Sequence, residues 1–293
     1  MDPIGGISAR SPGWQADGYL PELPEVETIV RDLRPRLVGR TLTRTDLLRA
    51  SMLRFGDPAA FAGGTAGRQV RSVHRRGKFI HLGLSGGQQL VIHLGMTGTL
   101  TLVSGLVPRA DHTHLVLELD DHWELRFRDP RRFGRVLLGR SRQMQRSGAL
   151  PQLGPEPLSR QFARSGFAQA LRASGRPIKA LLLDQGTVAG CGNIYADEAC
   201  FLARVRPERR GHTLTRAEAI RVVLALPLVM RQALRLRGTS FSDFRDGFGA
   251  RGEAYEALFV YGRGGLPCVR CGATLRQTRI GGRTTVFCHR CQR

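Results

Sequence analysis

Two cysteine pairs near the carboxyl end constrain the fold of this chain more than any other feature. Cys268 and Cys271 form one CxxC knuckle, and Cys288 and Cys291 form a second after 16 intervening residues. Two knuckles at this separation are typical of a tetrahedral thiolate site, and zinc is the metal that such sites favour. We therefore predict one structural zinc ion, held by a zinc-ribbon hairpin.

The charge of the chain predicts a polyanionic partner. Its formal net charge is +21 and its isoelectric point is about 11.4, values typical of proteins that bind nucleic acid. Only Lys78 and Lys179 among the 45 basic residues are lysines. Arginine stays protonated, so a Schiff base would need an amine from one of these lysines or from the chain terminus. Charge alone leaves a ribosomal or chromatin-like binder open.

The pattern of the chain changes from short strands to helices. Strands with turn signals are predicted at 69–73, 78–84, 89–94, 115–119 and 123–128. After a proline-rich hinge at 153–158, helices are predicted at 159–173, 177–184, 193–203 and 215–237. Ser159 and Thr215 are the expected helix caps. We predict an α+β multidomain protein with an amino-terminal β-sandwich and flanking helix, a helical domain and the zinc hairpin. No apolar run approaches the ~20 residues of a membrane span.

Residues 21–27, ProGluLeuProGluValGlu, open the first predicted helix. Pro24 suits the first helical turn, and Glu25 and Glu27 suit the positive end of the helix dipole. Apolar residues then recur at helical spacing as far as about Gly39. By itself, this stretch predicts no more than a proline-rich helix start.

The same stretch resembles the amino terminus of the bacterial formamidopyrimidine-DNA glycosylases, the Fpg branch of the Fpg/Nei repair family. The resemblance continues through HisLeuGlyMetThrGly at 93–98, AspProArgArgPheGly at 129–134 and AlaGlyCysGlyAsnIleTyrAlaAspGlu at 189–198. It implies a β-sandwich catalytic domain at 21–150, a helix-two-turn-helix DNA-binding domain at 151–262 and a zinc finger at 263–293.

The resemblance also implies a reaction. It is the bifunctional excision of oxidised purines, such as 8-oxoguanine and formamidopyrimidines, from double-stranded DNA, with cleavage at abasic sites. Pro21 would attack the sugar as a chain-terminal secondary amine and form a Schiff base that ends in β,δ-elimination. Glu22 would exchange protons with the opening sugar ring. Lys78 is implied as a third catalytic residue, which would contact substrate and phosphate and take part in proton transfer, although any single lysine here would by default be an exposed hairpin residue.

Further residues are implied to hold the duplex. Arg131 would face the orphaned cytosine, Phe133 would wedge a base step, and Met96 would enter the gap left by the extruded base. Taken alone, an ArgArgPhe sequence predicts a solvated turn and a lone methionine predicts core. The other implied contacts, mainly to phosphate, are Arg132, Lys179, Asn193, Tyr261 and Arg283.

Residues 1–20 do not fit the resemblance. An internal proline nitrogen is an amide whose lone pair is delocalised, so Pro21 could not attack while Leu20 is attached. Residues 1–19 have no apolar run for a signal peptide and are typical of a disordered leader. Leu20 stands where the family has its initiator methionine, so the alternative is that translation starts there and residues 1–19 precede the true start. We expect the working chain to begin at Pro21, in a monomeric, cytoplasmic and nucleoid-associated bacterial protein.

Two alternatives remain open at this point. The nearer one is a Nei-like glycosylase for oxidised pyrimidines. The other is a non-catalytic protein that binds damaged or abasic DNA, which is what a chain with its leader retained would be.

Overall fold

The amino-terminal part of the molecule is a β-sandwich closed by a long helix. A computed structural model describes residues 20–240 and 244–293. The predicted leader at 1–19 lies outside the described residues. Helix α1 (Leu23–Leu37) begins and ends where its sequence pattern predicts, with Pro24 in its first turn. Its apolar stripe is completely buried, which is why this helix forms one wall of the core.

Within residues 20–240 and 244–293, nine strands build the two sheets of the sandwich. They are β1 (Leu42–Leu47), β2 (Leu53–Phe55), β3 (Val70–Arg76), β4 (Phe79–Leu84), β5 (Gln89–His93), β6 (Thr99–Ser104), β7 (Thr113–Leu119), β8 (Trp123–Arg128) and β9 (Arg135–Gly139). The four-stranded sheet has the order β1-β7-β8-β6, and the five-stranded sheet has the order β2-β9-β5-β4-β3. Apolar residues of both sheets and of α1 share one core, which confirms the predicted sandwich. Short helices α2 (Phe61–Thr65) and α3 (Ser141–Arg146) complete this part.

A helical unit follows the hinge at 153–158. Its helices are α4 (Phe167–Arg172), α5 (Ile178–Leu183), α6 (Asn193–Ala203) and α7 (Arg216–Arg235). The single helix predicted at 159–173 is wrong. Gly166 has a φ of +76°, a left-handed conformation that interrupts a helix, so only a short 3₁₀ turn and α4 form there.

The cysteine-bearing end folds as the predicted hairpin. Strands β10 (Arg276–Ile280) and β11 (Arg283–Phe287) pair antiparallel, joined by the glycines at 281 and 282. A small core that includes Phe201 of α6 fixes this hairpin to the helical unit. Among the described residues, no helix is long and apolar enough to cross a membrane.

The β-sandwich and the helical unit exchange core residues. Leu23, at the start of α1, packs into the core of the helical unit. Phe244, which follows α7 in the chain, packs into the core of the β-sandwich. The hinge is fixed as well, because the carboxylate of Glu156 lies 2.7 Å from Arg75 and 3.0 Å from Arg76 of β3. The two units therefore meet as one packed body.

The cap of α7 gives a test of this fold. The Thr215 hydroxyl accepts a hydrogen bond of 3.2 Å from the Glu218 amide, whereas Ser159 precedes no α-helix. We expect Thr215→Ala to lower the free energy of unfolding by about 1 kcal/mol, the usual value of an N-cap. Ser159→Ala is the matched control and should change it by less than about 0.5 kcal/mol. Equal urea midpoints for the two variants would contradict the assignment.

Candidate active site

The amino end of α6 holds the carboxylate of Glu22. Glu22 is only 2% exposed. Its two oxygens accept hydrogen bonds from the Gly192 amide at 2.6 Å and the Ile194 amide at 2.8 Å. The Tyr195 amide lies at 3.5 Å. Free amides at a helix start attract anions. Here the anion is the carboxylate of Glu22, the residue directly before α1.

Glu22 shares its site with Lys78, which lies in the turn directly before β4. A Cβ atom on Gly192 would lie 2.5 Å from the Glu22 carboxyl carbon and 2.7 Å from the Lys78 Nζ. Only glycine therefore fits between them. Burial raises the pKa of Glu22 to about 7, although the charge of Lys78 and the backbone hydrogen bonds lower it. A group with this pKa can both give and take a proton near neutral pH.

A second buried carboxyl group, that of Glu25, binds the backbone amide of Glu22. Glu25 is fully buried, and it accepts hydrogen bonds from the Glu22 amide at 2.9 Å, the Tyr195 hydroxyl at 2.6 Å and the Thr239 amide at 2.8 Å. Burial raises the pKa of Glu25, while the Tyr195 hydrogen bond lowers it. The sequence assigned Glu25 only to the helix dipole. Its partners are about 170 and 214 residues away in the chain, so no local signal could have found this role.

Pro21 lies directly before Glu22 and is buried. The next amide along the chain, that of Leu23, donates a hydrogen bond of 3.0 Å to the Gly190 carbonyl. The turn before α6 thus positions both Pro21 and Glu22. The Pro21 nitrogen is joined to Leu20 in this sequence, so it is an amide here and becomes a secondary amine only if that bond is cut.

Asn193 and Tyr261 meet at the same end of α6. A hydrogen bond from Asn193 lowers the pKa of the Tyr261 hydroxyl, but burial and the nearby Glu22 charge raise it to about 12. The side-chain oxygen of Asn193 is buried and has no partner among the described residues. The carboxylate of Glu198 fixes this region, because it accepts the amides of residues 259, 260 and 261 at 2.8 to 2.9 Å. The sequence analysis missed this role of Glu198. The residue is the last one of the motif at 189–198, but no function was predicted for it.

The two loops predicted to enter DNA lie side by side. The backbone of Gly95 packs so tightly on residues 133 and 134 that a Cβ there would come within 2.6 Å of them. Arg131 and Phe133 are both exposed, and the guanidinium carbon lies 4.9 Å from the ring centre. Arg132 is also exposed. Met96 is only 4% exposed, so entering a duplex would require it to leave its present packing.

The structure corrects the expectation that Lys179 contacts phosphate. Its side chain is completely buried and forms an ion pair of 2.7 Å with Asp197 of α6. Its Nζ also donates to the Thr284 carbonyl and the Thr285 hydroxyl, each at 2.8 Å. The Lys179 ammonium group is therefore held by two hydrogen bonds and one buried ion pair. Lys179 therefore fixes strand β11, whose first residue is Arg283, to the helical unit.

The four cysteines predicted to bind zinc come together. All four sulfur atoms lie within 4.8 Å of one another, with Cys271 and Cys288 3.5 Å apart and Cys268 and Cys291 3.9 Å apart. A zinc ion bound tetrahedrally at Zn–S distances of about 2.3 Å places its sulfurs ~3.8 Å apart. The geometry therefore fits one structural zinc ion. Cys191 and Cys200 are buried in the helical core, away from this site.

Sequence models of three domains match the chain. The formamidopyrimidine-DNA glycosylase N-terminal domain matches residues 20–136, and the H2TH domain of the same glycosylase matches residues 153–245. The zinc finger found in FPG and IleRS matches residues 265–293.

Known proteins are similar over most of the chain. Formamidopyrimidine-DNA glycosylase of Desulforamulus reducens is 42% identical over 275 residues, which are 94% of this chain and 99% of the relative. The crystal structure of MutM (FPG) from Thermus thermophilus is 44% identical with a TM-score of 0.83, and covers 93% of this chain and 98% of that one. A Lactococcus lactis FPG variant bound to Fapy-dG DNA is 32% identical with a TM-score of 0.86, over 93% and 100%.

The corrected role of Lys179 predicts a large loss of stability when it is removed. Lys179→Met leaves the buried Asp197 carboxylate unpaired, so we expect the free energy of unfolding to fall by about 3–5 kcal/mol. Arg40→Met, which breaks a half-exposed pair with Asp121, is the control and should cost less than about 1 kcal/mol. Adding Asp197→Leu should recover part of the loss. Thermal and urea unfolding measure both. If Lys179→Met lowered the free energy of unfolding only slightly and still weakened DNA binding, the result would support a contact between Lys179 and phosphate instead.

Proposed function

The chain belongs to the formamidopyrimidine-DNA glycosylase family, and on that premise we propose how its residues carry out the reaction. The protein is a bifunctional DNA glycosylase and AP lyase that removes oxidised purines from duplex DNA. One observation supports the residue assignment above the others. The Glu22 carboxyl group, with a pKa near 7, is buried against Lys78 and α6, directly after Pro21.

In the proposed reaction, the Pro21 amine attacks the anomeric carbon of the damaged nucleotide and the bond to the base breaks, so the base leaves with the bonding electrons and the amine proton is transferred to it. Glu22 gives a proton to the sugar-ring oxygen as the ring opens, and the nitrogen and the sugar carbon are then joined as an iminium. The iminium acidifies the neighbouring carbons, so the 3′ and then the 5′ phosphate leave by elimination. Lys78 lies beside Glu22, where its charge favours the carboxylate and attracts a substrate phosphate.

We propose that the remaining residues hold the duplex around this centre. Arg131 and Phe133, both exposed on the loop between β8 and β9, would take the place of the extruded nucleotide, with Arg132 near phosphate. Met96 would join them after leaving its packing. Asn193 and Tyr261, at the start of α6, and Arg283, at the start of β11, would contact phosphates near the lesion. Lys179 has no direct part in this proposal.

The substrate range is proposed from the relatives. A Lactococcus lactis Fpg has been crystallised with an abasic site containing DNA, and a wild-type Lactococcus lactis FPG with an oxidized pyrimidine containing DNA. We therefore infer activity at abasic sites, and the second observation favours some oxidised pyrimidines as further substrates. Genomic DNA as substrate would place the protein at the nucleoid of a bacterial cytoplasm.

A free amine at Pro21 can be tested by borohydride trapping on an 8-oxoguanine duplex. Protein that begins at Pro21 should form a covalent adduct, because borohydride reduces the iminium, and peptide mapping should place the linkage on Pro21. Protein that keeps residues 1–20 should bind the same duplex without an adduct, since its proline nitrogen is an amide. An adduct on Lys78, or equal trapping by both proteins, would refute the assignment.

The role of Glu22 predicts a pH dependence. Protonated Glu22 is the proposed proton donor and its pKa is about 7, so kcat/KM for base excision should fall as pH rises through 7. Glu22→Gln should reduce base excision by about 10²-fold or more, which is the usual size of general acid–base catalysis. It should also abolish this fall, and lesion-duplex affinity should change little. Equal losses in excision and affinity would argue against the role.

A further inference from the structure

Two turns cross from one sheet of the sandwich to the other at the same end. Residues 94–98, here called the methionine turn, join β5 to β6. Residues 129–134, here called the wedge loop, join β8 to β9. Strands β5 and β9 are paired where they meet the two turns, and so are strands β6 and β8. The methionine turn and the wedge loop therefore run beside each other along their whole length.

The side chain of Asp129 joins the two turns. It is completely buried. One of its oxygens accepts a hydrogen bond of 2.5 Å from the Thr97 hydroxyl of the methionine turn, and the other accepts one of 2.7 Å from the Gly134 amide. The Thr97 hydroxyl also accepts the Arg131 amide at 3.2 Å. Asp129 and Thr97, here called the bridge, therefore connect the methionine turn to both ends of the wedge loop.

The backbone of Asp129 is fixed to the four-stranded sheet. Its amide donates a hydrogen bond of 3.0 Å to the His112 carbonyl. Its carbonyl lies 3.0 Å from the Nε2 of His114, a buried residue of β7, and accepts the Arg132 amide at 3.2 Å. The carboxylate of Asp129 is therefore a fixed point to which both turns are attached.

The wedge loop has a conformation that needs such support. Arg132 has a φ of +60°, a left-handed conformation that arginine rarely adopts. Arg131 and Phe133, on either side of it, are exposed, and the guanidinium carbon lies 4.9 Å from the ring centre. Asp129 accepts the amides of residues 132 and 134, one on each side of the Phe133 ring. These hydrogen bonds oppose relaxation of the loop and so hold the exposed pair in place.

We propose that Asp129 is a positioning residue for the opening of the duplex, because with Thr97 it holds the methionine turn and the wedge loop as one unit. The proposal rests on the function proposed above, in which Met96 and Phe133 enter the duplex. Groups that must be ordered when they bind lose conformational freedom at that moment, and groups that are already fixed do not. Loss of the bridge should therefore slow every step that follows insertion of the ring, although neither bridge residue acts on the sugar in the proposed reaction.

Excision of 8-oxoguanine from a duplex tests the proposal, under single-turnover conditions with saturating protein that begins at Pro21. Thr97→Val removes the hydroxyl at nearly constant volume, so base release should slow by about tenfold, the scale of a small misplacement. Thr97→Ser keeps the hydroxyl, and its rate should stay within about twofold of wild type. Asp129→Asn should slow base release at least as much as Thr97→Val, because its amide group cannot accept a hydrogen bond.

A double-mutant cycle separates this role from a general effect on stability. In a Phe133→Ala background the ring that the bridge positions is missing, so Thr97→Val should slow base release by only about threefold or less. Thr101→Val, the same substitution on β6, is the control and should match its parent in both backgrounds. A full tenfold loss in the Phe133→Ala background would overturn the proposal, because Thr97 would then act on something other than the wedge. Unchanged base release in Thr97→Val alone would overturn it as well.

Amide hydrogen exchange of the DNA-free protein tests the bridge without the reaction. A peptide that covers residues 129–134 should exchange faster in Thr97→Val than in wild type or Thr97→Ser, since the Arg131 amide loses its acceptor and the loop is held less firmly. Equal exchange in the three proteins would contradict the proposal. Wild-type protein that does not cleave the 8-oxoguanine duplex would overturn the proposed function, while hydrogen exchange would still decide whether the bridge holds the loop.

Discussion

The hydrogen bonds between the Glu22 carboxylate and the amino end of α6 are the constraint on which the rest of the site depends. A buried carboxyl group without partners would be costly and would hold its proton far above neutral pH. The amides of Gly192 and Ile194 supply partners, and Lys78 supplies an opposite charge. Burial and compensation together leave a pKa near 7. The same contacts fix the β-sandwich to the helical unit, so the protonation chemistry and the domain arrangement have one physical cause.

Helix α6 holds three other parts of the molecule through hydrogen bonds: the start of α1, strand β11 and the segment at Tyr261. Its start holds Glu22, Asp197 holds β11 together with Lys179, and Glu198 holds the segment at Tyr261. The carboxylates in these contacts are all buried, and each contact involves an element distant in the chain. Because a helix is rigid over this length, the groups proposed to act on sugar and on phosphate are set at fixed separations. The zinc ribbon contributes to the site through this helix.

The sequence predicts well those features that have a local cause. The bounds of α6 and β8 are the observed ones, because glycine and asparagine at a helix start and alternation in a strand are short-range signals. Gly166 ended a predicted helix because one left-handed residue outweighs a favourable pattern. The roles of Lys179 and Glu25 required tertiary partners more than 100 residues away. A charged residue that is buried in a basic chain looks in the sequence like a residue that binds DNA.

The exchange of Leu23 and Phe244 between the two cores makes the units interdependent. A gene fragment that encodes either unit alone would leave a hole in its own interior and an apolar side chain without cover. Neither of these two units therefore has a complete core without the other. The ribosome must also release almost the complete chain before the sandwich can acquire its last aromatic ring, so folding of the first unit is finished only after the second has been made.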